Sequence, residues 1–279
     1  MVNVSLISPS IKVDLIIWTK NGAGTLDAVL KRINQVIPNE VVNNKFIVDD
    51  CSTDKTRYLA WSNGWSVRLN EGHGISDGAN TALKYVETDY FCSFEQDVLL
   101  SPYWWNRVSR LILGKSKVAA ASGLRFLPKN NLCFSIDPYQ LTRQGVDDLS
   151  GYGKTLDNTI WHTNTLRNLG GFPKMKYAGI DTCLHELFKA EGFGWLVDFN
   201  VQSLHLHKGF VNELRHTYFY GLSLPELHSH DWQGLLLKFL KSPISSMKMC
   251  LRMRDARLLF AYPYIRLVWL LGYLKGDYP

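Results

Sequence analysis

The sequence predicts an α/β fold with a Rossmann-like, mostly parallel central sheet flanked by helices, followed by C-terminal amphipathic helices. Apolar runs alternate with helical patterns through the amino-terminal part, and several of these runs end abruptly in polar side chains. From residue 229 onward, apolar and basic side chains are mixed instead. Alternation of strand and helix patterns is typical of a parallel sheet with helices on its faces.

The predicted elements follow in order along the chain. Strands are predicted at residues 13–18, 45–48, 65–69, 90–94, 118–123 and 195–207. Helices are predicted at residues 26–36, 57–63, 76–86, 102–113 and 182–191. The stretch from Phe126 to Gly153 is rich in Gly, Pro and Asn, so it is predicted to be a long irregular loop, and such loops are often functional.

Composition bounds the class of protein. Hydrophobic residues at 46% and charged residues at 20% are ordinary for a globular chain and exclude a disordered or fibrous one. The five cysteines form no C-x-x-C pair, which favours a reducing compartment. The segment Met1 to Lys12 lacks the pattern of a signal peptide, so we expect a cytoplasmic protein. We expect one domain over residues 1–228, with halves 1–122 and 123–228.

The remaining residues, 229–279, are predicted to form a basic amphipathic tail. From Trp232 to Pro279 there are eight basic and two acidic residues. The resulting net charge of this segment, +6, equals that of the whole chain. No uncharged apolar run approaches the roughly 20 residues that a membrane span needs. The pattern predicts helices in a membrane interface, with basic groups facing anionic lipid, or else ordinary helices packing on the domain. Basic residues set among aliphatic ones make a nucleic-acid binder the weaker interpretation.

The first chemical signal is the segment 46–54, an apolar strand that ends in acidic and hydroxyl residues. Open α/β folds bind ligands at the carboxyl edge of the sheet, where these side chains would lie. Asp49 or Asp50 could accept a hydrogen bond from a base or a ribose. Alternatively, Ser52 or Asp54 caps the next helix, although capping leaves the adjacent carboxylates unexplained.

The second signal is the segment 90–97, which carries two carboxylates at the end of a strand. Glu95 and Asp97 lie on one face of an extended chain because side chains alternate with a period of two. Such a pair can hold Mg²⁺ or Mn²⁺, whose remaining coordination positions take diphosphate oxygens.

The order of these motifs resembles the GT-A glycosyltransferases of family 2. The resemblance covers about residues 12–222 and is densest before residue 105. Its segments are 19–22 after the first strand, 48–54, 74–80, 95–97, the G-G-F turn at 169–173 and the segment 179–182.

The resemblance implies a nucleotide-sugar site. Thr19 and Asn21 would border the nucleotide, and Asp49 or Asp50 would contact the base or ribose. The backbone from residue 74 would approach the donor, with Asn80 as a polar contact.

The resemblance also implies a metal site. Residues Glu95, Gln96 and Asp97 occupy the position of the D-x-D motif of the family, with Glu95 and Gln96 also near the donor. Glu95 replaces the usual aspartate, so Asp97 is the safer ligand for Mn²⁺ or Mg²⁺. The pair His205 and His207 resembles the H-x-H ending of the last core strand, where one histidine can complete the site.

The catalytic residue implied by the resemblance is Asp181. Residues 179–182 are similar to the E-D motif of the family, with Ile180 in place of the glutamate, and Asp181 would be the base of a direct displacement that inverts the anomeric carbon. Asp181 could equally cap the helix that begins at Thr182, and the helix dipole would then lower its pKa.

The predicted function is therefore an inverting, metal-dependent glycosyltransferase that moves a sugar from a nucleotide-diphosphate-sugar to a hydroxyl acceptor, either a glycan or a lipid-linked molecule. A first alternative is a catalytically silent scaffold that binds a nucleotide or glycan. A second is a Rossmann oxidoreductase, suggested by the glycines in residues 72–78. That interpretation is weaker because the glycine spacing is irregular and the segment follows a third strand.

Overall fold

The computed structural model describes residues 11–129, 131–134, 136, 145–206, 209–227 and 231–276. Its strands are β1 (Val13–Thr19), β2 (Val42–Asp49), β3 (Ser66–Leu69), β4 (Tyr90–Glu95), β5 (Val98–Leu99), β6 (Val118–Phe126), β7 (Val146–Asp147), β8 (Thr159–His162) and β9 (Gly194–His205). Its helices are α1 (Leu26–Val36), α2 (Thr56–Ser62), α3 (Gly74–Tyr85), α4 (Trp104–Ile112), α5 (Thr163–Asn168), α6 (Ile180–Ala190), α7 (Phe210–Ser223), α8 (Trp232–Leu240), α9 (Ser242–Met253) and α10 (Leu258–Lys275).

These strands form one sheet in the order β3-β2-β1-β4-β8-β6-β9-β5, with β7 paired to β9. Strands β3, β2, β1 and β4 are parallel neighbours, and β6 is parallel to β9. Strand β8 is antiparallel to both β4 and β6, so β6 and β9 point the same way as the first four strands. The register pairs Thr19 with Asp49 and Trp18 with Glu95, which brings the carboxyl ends of β1, β2 and β4 to one edge.

The core lies on both faces of this sheet. Leu15 and Ile17 of β1 pack in one apolar cluster with α1 and α4. Ile16 and Trp18 pack in a second cluster with α3 and α6. Burial of one such side chain contributes about 1.5–3 kcal/mol, so covering both faces fixes the strand firmly. This arrangement explains why residues 15–18 of β1 are all apolar.

The predicted order of elements in the first half is confirmed, and the main differences lie in the second half. Strand β6 continues to Phe126, three residues beyond the prediction, so the expected irregular stretch begins later. Strand β8 and helices α5 and α7 were not predicted. Strand β8 has only four residues in the interior of the sheet, and a run that short carries no usable period of alternation.

The tail helices pack on the domain through α7. Residues Leu258, Leu270 and Tyr273 of α10 are buried. The backbones of α7 and α10 meet closely, because a Cβ atom on Gly221 would lie 2.5 Å from the carbonyl oxygen of Trp269. The packing interpretation of these helices is therefore correct for their inner face. No helix in the described part of the chain is long and apolar enough to cross a membrane.

Candidate active site

A cleft with a volume of about 330 Å³ opens at the carboxyl edge of β1, β2 and β4. Six of the predicted site residues line it: Thr19, Asp50, Glu95, Gln96, Asp97 and His205. The parallel register explains this convergence, since each residue ends or directly follows a strand. We call this cavity the donor cleft.

Asp50 directly follows β2 and is the carboxylate that faces the donor cleft. Its Oδ2 atom accepts hydrogen bonds from Lys20 Nζ and from the backbone N–H of Gly74, both at 3.2 Å. Its Oδ1 atom lies 3.2 Å from His73 Nδ1. Burial disfavours the charged form of Asp50, but the hydrogen bonds from Gly74, His73 and Lys20 outweigh it and lower the pKa. Asp50 is therefore held as an ionised acceptor.

Gln96 joins the loop after β4 to the loop after β1. Its Oε1 atom accepts hydrogen bonds from Thr19 Oγ1 at 2.5 Å and from the Lys20 N–H at 3.1 Å. A Cβ atom on Gly22 would lie 2.5 Å from the same oxygen, so a larger residue at this position would displace the Gln96 amide. The side chain of Gln96 thus shapes the wall of the donor cleft by fixing the β1 loop.

Asp97 and His205 form the candidate metal site together with Glu95. Antiparallel pairing of β5 with β9 places His205 opposite Val98, next to Asp97. The Nε2 atom of His205 lies 3.4 Å from Asp97 Oδ2, and one ligand atom from each of the three residues lies within 4.8 Å of the others. Adjacent ligands of an octahedral ion with bonds of about 2.1 Å lie about 3 Å apart, so this donor set fits Mg²⁺ or Mn²⁺. His207, the second predicted histidine, lies outside the described residues.

Arg125, near the end of β6, joins two of the acidic side chains. Its Nη1 atom lies 3.2 Å from Glu95 Oε2 and 3.3 Å from Asp157 Oδ1. Burial and then the charge of Asp157 raise the pKa of Glu95, while Arg125 opposes the rise. One oxygen of Glu95 is therefore engaged by Arg125, so a metal ion would compete with that cation for Glu95.

A second cavity of about 240 Å³, the acceptor cavity, adjoins the donor cleft and contains Asp181. The two cavities share Ile75, Glu95, Arg125 and His216 as wall residues. Asp50, Asp97 and Asp181 therefore line two adjoining cavities with common walls. Carboxylates on separate surfaces could not act on one donor and one acceptor in the same reaction.

Asp181 lies in the first turn of α6, and the expectation that it caps this helix is wrong. The helix begins at Ile180, its cap is Gly179 with φ of 98°, and Asp181 Oδ1 accepts the N–H of Thr182 at 2.9 Å. The expected lowering of its pKa is also wrong. Burial raises the pKa of Asp181, and the Thr182 N–H and Arg125 offset this only in part. A carboxylate with a raised pKa is a stronger proton acceptor once it is ionised.

Helix α7 forms one wall of the acceptor cavity. The hydroxyl of Tyr220 lies 2.9 Å from Thr182 Oγ1, and the Ala178 N–H donates to Ser223 Oγ at 2.8 Å. The rings of Tyr177 and Phe219 stack at 6.2 Å between centroids. These contacts fix the loop before α6 and present aromatic surface beside Asp181.

The sequence profile of glycosyl transferase family 2 matches residues 14–164, more than half of the chain. The chain belongs to glycosyl transferase family 2. The matched region of this glycosyltransferase contains Asp50 and Asp97 but ends before Asp181 and His205, so the placement of those two rests on the structure. Among curated protein sequences, none matches at a significant level.

Solved structures similar to this family 2 glycosyltransferase share its GT-A fold at low sequence identity. A mannosyltransferase from Pyrobaculum calidifontis, in complex with GDP-Man and Mn²⁺, has 17% identity and a TM-score of 0.61, over 98% of this chain and 78% of that one. Glucosyl-3-phosphoglycerate synthase from Mycobacterium tuberculosis, with Mn²⁺, UDP and its product, has 14% identity and a TM-score of 0.53, over 74% and 75%. The same synthase with Mg²⁺ and UDP has a TM-score of 0.57 at 14% identity, over 80% and 81%.

Three residues expected at the nucleotide lie outside the lining of the donor cleft and make contacts within this glycosyltransferase. Asp49 is fully buried, accepts the Ser52 N–H at 3.0 Å and pairs with Arg57 at 3.2 Å. The Oδ1 atom of Asn21 accepts the N–H of Thr53 at 2.9 Å, which joins two loops.

Asn80 is the third of these residues. Its side chain accepts the N–H of Phe172 at 2.9 Å and donates to the Phe172 carbonyl at 2.8 Å. It therefore holds the G-G-F turn in place and does not line the donor cleft. Asn21, Asp49 and Asn80 all carry the right chemistry for a nucleotide, but one side-chain oxygen of each accepts a hydrogen bond from neighbouring backbone.

Sequence reasoning missed Arg125, Asp157 and His216. Arg125 and His216 line both the donor cleft and the acceptor cavity. The available signal for Arg125 was a single cation at the end of an apolar run, although the strand was predicted to stop before it. His216 lies on α7, which was not predicted, so no pattern pointed to it.

Proposed function

We propose that this chain is an inverting, metal-dependent glycosyltransferase that transfers a sugar from a nucleotide-diphosphate-sugar to a hydroxyl group. The observation that carries the proposal is that the donor cleft, with Asp50 and Asp97, adjoins the acceptor cavity, with Asp181. Family membership supports the reaction class. The proposed metal and donor classes are supported by the Pyrobaculum mannosyltransferase, which was solved with GDP-Man and Mn²⁺.

In this proposal the donor lies along the edge of the sheet. Asp50, held ionised by Lys20 and Gly74, accepts hydrogen bonds from the base or ribose. Asp97 and His205 hold the divalent cation, with Glu95 as a further neighbour. Bound there, Mn²⁺ or Mg²⁺ would supply positive charge that stabilises the diphosphate as it leaves.

Asp181 is the proposed base. Its ionised carboxylate takes the proton of the acceptor hydroxyl while that oxygen forms a bond to the anomeric carbon. The bond from the anomeric carbon to the diphosphate oxygen breaks at the same time, and its electron pair leaves with the diphosphate. Attack and departure on opposite faces invert the configuration of the anomeric carbon. Arg125 lies between both cavities and positions Glu95 beside the reaction centre.

The donor proposal is tested by thermal unfolding with a panel of UDP- and GDP-sugars, with and without Mn²⁺. A donor at about a hundred times its Kd stabilises the folded state by about 2.7 kcal/mol, which shifts the midpoint by several degrees. We expect one donor to give a shift that requires Mn²⁺. The Asp97→Asn variant should lose this shift, whereas Asp89→Asn, an exposed acid away from the cleft, should keep it. An unchanged shift in Asp97→Asn would refute the metal site.

The base is tested separately with Asp181→Asn. We expect this variant to bind the donor like the parent and to transfer the sugar about 10²–10⁴-fold more slowly, since that is the usual contribution of a general base. Product stereochemistry, measured by NMR, should show inversion. Transfer at the parent rate would remove Asp181 as the base. A parent chain that binds donor but neither hydrolyses nor transfers it would favour the silent scaffold.

We further propose that residues 229–279 form a tail unit that binds an anionic membrane surface. On α9, Ile244, Met247 and Leu251 are 57%, 53% and 75% exposed and form one stripe along the helix. Lys248 and Arg252 lie beside this stripe and are also exposed. An apolar stripe flanked by cations is typical of helices that lie in a membrane interface. This surface would also suit a lipid-linked acceptor.

The tail proposal is tested by co-sedimentation with vesicles of phosphatidylcholine, with and without phosphatidylserine. We expect binding only to the anionic vesicles, and we expect Leu251→Ser and Lys248→Gln each to weaken it. Trp61, which is 73% exposed on α2, provides a control, and Trp61→Ser should bind like the parent. Equal binding by the parent and the two tail variants would contradict the proposal.

A further inference from the structure

A third cavity, of about 340 Å³, lies between the end of β6 and helices α7 and α10. We call it the tail cavity. Phe126, Tyr262, Ile265 and Trp269 contribute apolar and aromatic surface to it, and Arg266 contributes a cation. The proposed reaction uses neither Arg266 nor the aromatic side chains around it.

Arg266 is held by aromatic side chains and has no carboxylate partner among the described residues. Its Nη2 atom donates to the hydroxyl of Tyr262 at 2.8 Å, and its guanidinium lies 5.0 Å from the centre of that ring and 4.8 Å from the ring of Trp269. Its Nε atom is buried without a hydrogen-bond acceptor in the described structure. A guanidinium fixed by aromatic rings, with an unused N–H, is prepared to bind an anion.

A second cation strengthens the positive charge next to the tail cavity. Lys238 of α8 lies 5.7 Å from the centre of the Trp269 ring, so Lys238 and Arg266 both contact this ring. Burial and then the charge of Arg266 lower the pKa of Lys238. Two neighbouring cations repel each other, and an anion placed between or beside them would relieve that repulsion. Among the described residues that line the tail cavity, the acidic one is Glu213, which belongs to α7.

The tail cavity adjoins both the donor cleft and the acceptor cavity. It shares Arg125, Thr155 and His216 with the acceptor cavity, and it shares Arg125, His205 and His216 with the donor cleft. The direction from Asp181 past Thr155 to Arg266 therefore runs through neighbouring cavities that share side-chain walls.

We infer that the tail cavity binds the distal part of the acceptor, an anionic phosphoryl group held at Arg266 and an apolar chain held against the aromatic walls. This inference rests on the proposed glycosyltransferase function and names its acceptor class, a phosphorylated amphiphile. The guanidinium recognises the phosphoryl oxygens through charge-assisted hydrogen bonds. Ile265 and the aromatic side chains supply apolar surface for the chain, and the exposed stripe of α9 would bring this cavity to a lipid surface.

Binding of decyl phosphate, a monomeric probe with both features, tests the inference without any sugar donor. Titration monitored by tryptophan fluorescence should give saturable binding to the full chain. Decyl maltoside, which lacks the anion, and inorganic phosphate, which lacks the chain, should each bind at least about tenfold more weakly, because each loses one class of contact. Binding of inorganic phosphate as tight as that of decyl phosphate would overturn the amphiphile and indicate a water-soluble phosphorylated acceptor.

Variants locate the binding in the tail cavity. Arg266→Met should weaken decyl phosphate binding at least about tenfold, as expected for loss of a charged hydrogen bond of roughly 1.5–3 kcal/mol. Ile265→Trp should weaken it as well by filling the cavity while keeping the cation. Arg110→Met removes the same charge from the exposed last turn of α4 and should bind decyl phosphate within about twofold of the parent. Parent-like binding by both Arg266→Met and Ile265→Trp would overturn the assignment.

The two proposals fail in different ways. Each variant is also tested for the Mn²⁺-dependent thermal shift with the nucleotide-sugar donor, which reports on folding and on the donor cleft. If the parent shows the donor shift but no saturable decyl phosphate binding, the acceptor subsite is refuted and the glycosyltransferase proposal stands. If decyl phosphate binds through Arg266 but no donor does, the glycosyltransferase proposal fails and the anionic site remains.

Discussion

Replacement of Arg125 by methionine should destabilise the fold strongly, because it leaves a buried carboxylate without its partner. Asp157 has no exposed surface, and the hydrogen bond that its side chain accepts comes from Arg125 at 3.3 Å. Its second oxygen, Oδ2, has no hydrogen-bond partner in the described structure. Methionine preserves much of the arginine stem but offers neither the charge nor the donor.

The magnitude follows from this geometry. Two unit charges 3.3 Å apart attract by about 5 kcal/mol at an effective dielectric constant of about 20. The cost of removing both ions from water offsets part of that attraction. Removal of one partner from a buried pair usually costs about 3–5 kcal/mol, since the remaining charge stays uncompensated. The side chain of Arg125 is 25% exposed, so we expect about 3 kcal/mol, the lower end of that range.

Urea unfolding followed by tryptophan fluorescence measures this change. With a slope of about 3 kcal/mol per molar urea, a loss of about 3 kcal/mol moves the midpoint by about 1 M. The double variant Arg125→Met/Asp157→Asn should recover part of the loss, because the stranded charge is gone. Lys31→Met breaks an exposed ion pair with Asp27 and should cost less than about 1 kcal/mol. If Arg125→Met stays within about 1 kcal/mol of the parent, or if the double variant shows no recovery, the reasoning is refuted.

Three further predictions concern catalysis, the G-G-F turn and the tail. Because burial raises the pKa of Asp181, the transfer rate should fall as the pH is lowered through a midpoint above the usual aspartate value. Initial rates across pH measure this midpoint, and a value at or below the usual aspartate pKa would contradict the prediction. Asn80→Ala removes both hydrogen bonds to the G-G-F turn, so the free energy of unfolding in urea should fall by about 1–3 kcal/mol while donor affinity changes less than about threefold. A selective loss of donor affinity would instead place Asn80 at the nucleotide. Gly221→Ala places a methyl group against α10, so it should lower the free energy of unfolding by about 1–3 kcal/mol and expose the tail to limited proteolysis. The control Gly24→Ala places its methyl group in open space and should be neutral, so equal digestion of the two variants would refute the close helix contact.

The donor half of the molecule was predictable because its signals are local. Strands β1, β2 and β4 are apolar runs that end in polar residues, and parallel strands bring their carboxyl ends to one edge. That rule alone places Asp50, Gln96 and Asp97 together. It could not separate Asp50 from Asp49, because neighbouring residues on a strand point to opposite faces and the register with Arg57 and Ser52 decides which carboxylate is used inside the fold.

The acceptor half was less predictable because its contacts join distant segments. Arg125 meets Glu95 and Asp157, which lie 30 and 32 residues away, and His205 meets Asp97 only because β5 pairs with β9. Asn80 was expected at the nucleotide, yet it holds the turn at Phe172, 92 residues further on. Such pairings carry no periodic or compositional signal.

The sequence by itself determined the alternating α/β order, the edge at which ligands bind, the family resemblance and the basic, apolar character of the tail. Tertiary structure decided that Asp50 and not Asp49 faces the donor cleft, and that Asp181 lies inside the first turn of α6 under burial that raises its pKa. It also decided that α7 and α10 enclose a third cavity around Arg266. The physical reason is that strand and helix patterns report which residues are buried, whereas a site depends on which buried or half-buried polar atoms meet, and only the packed chain sets those distances.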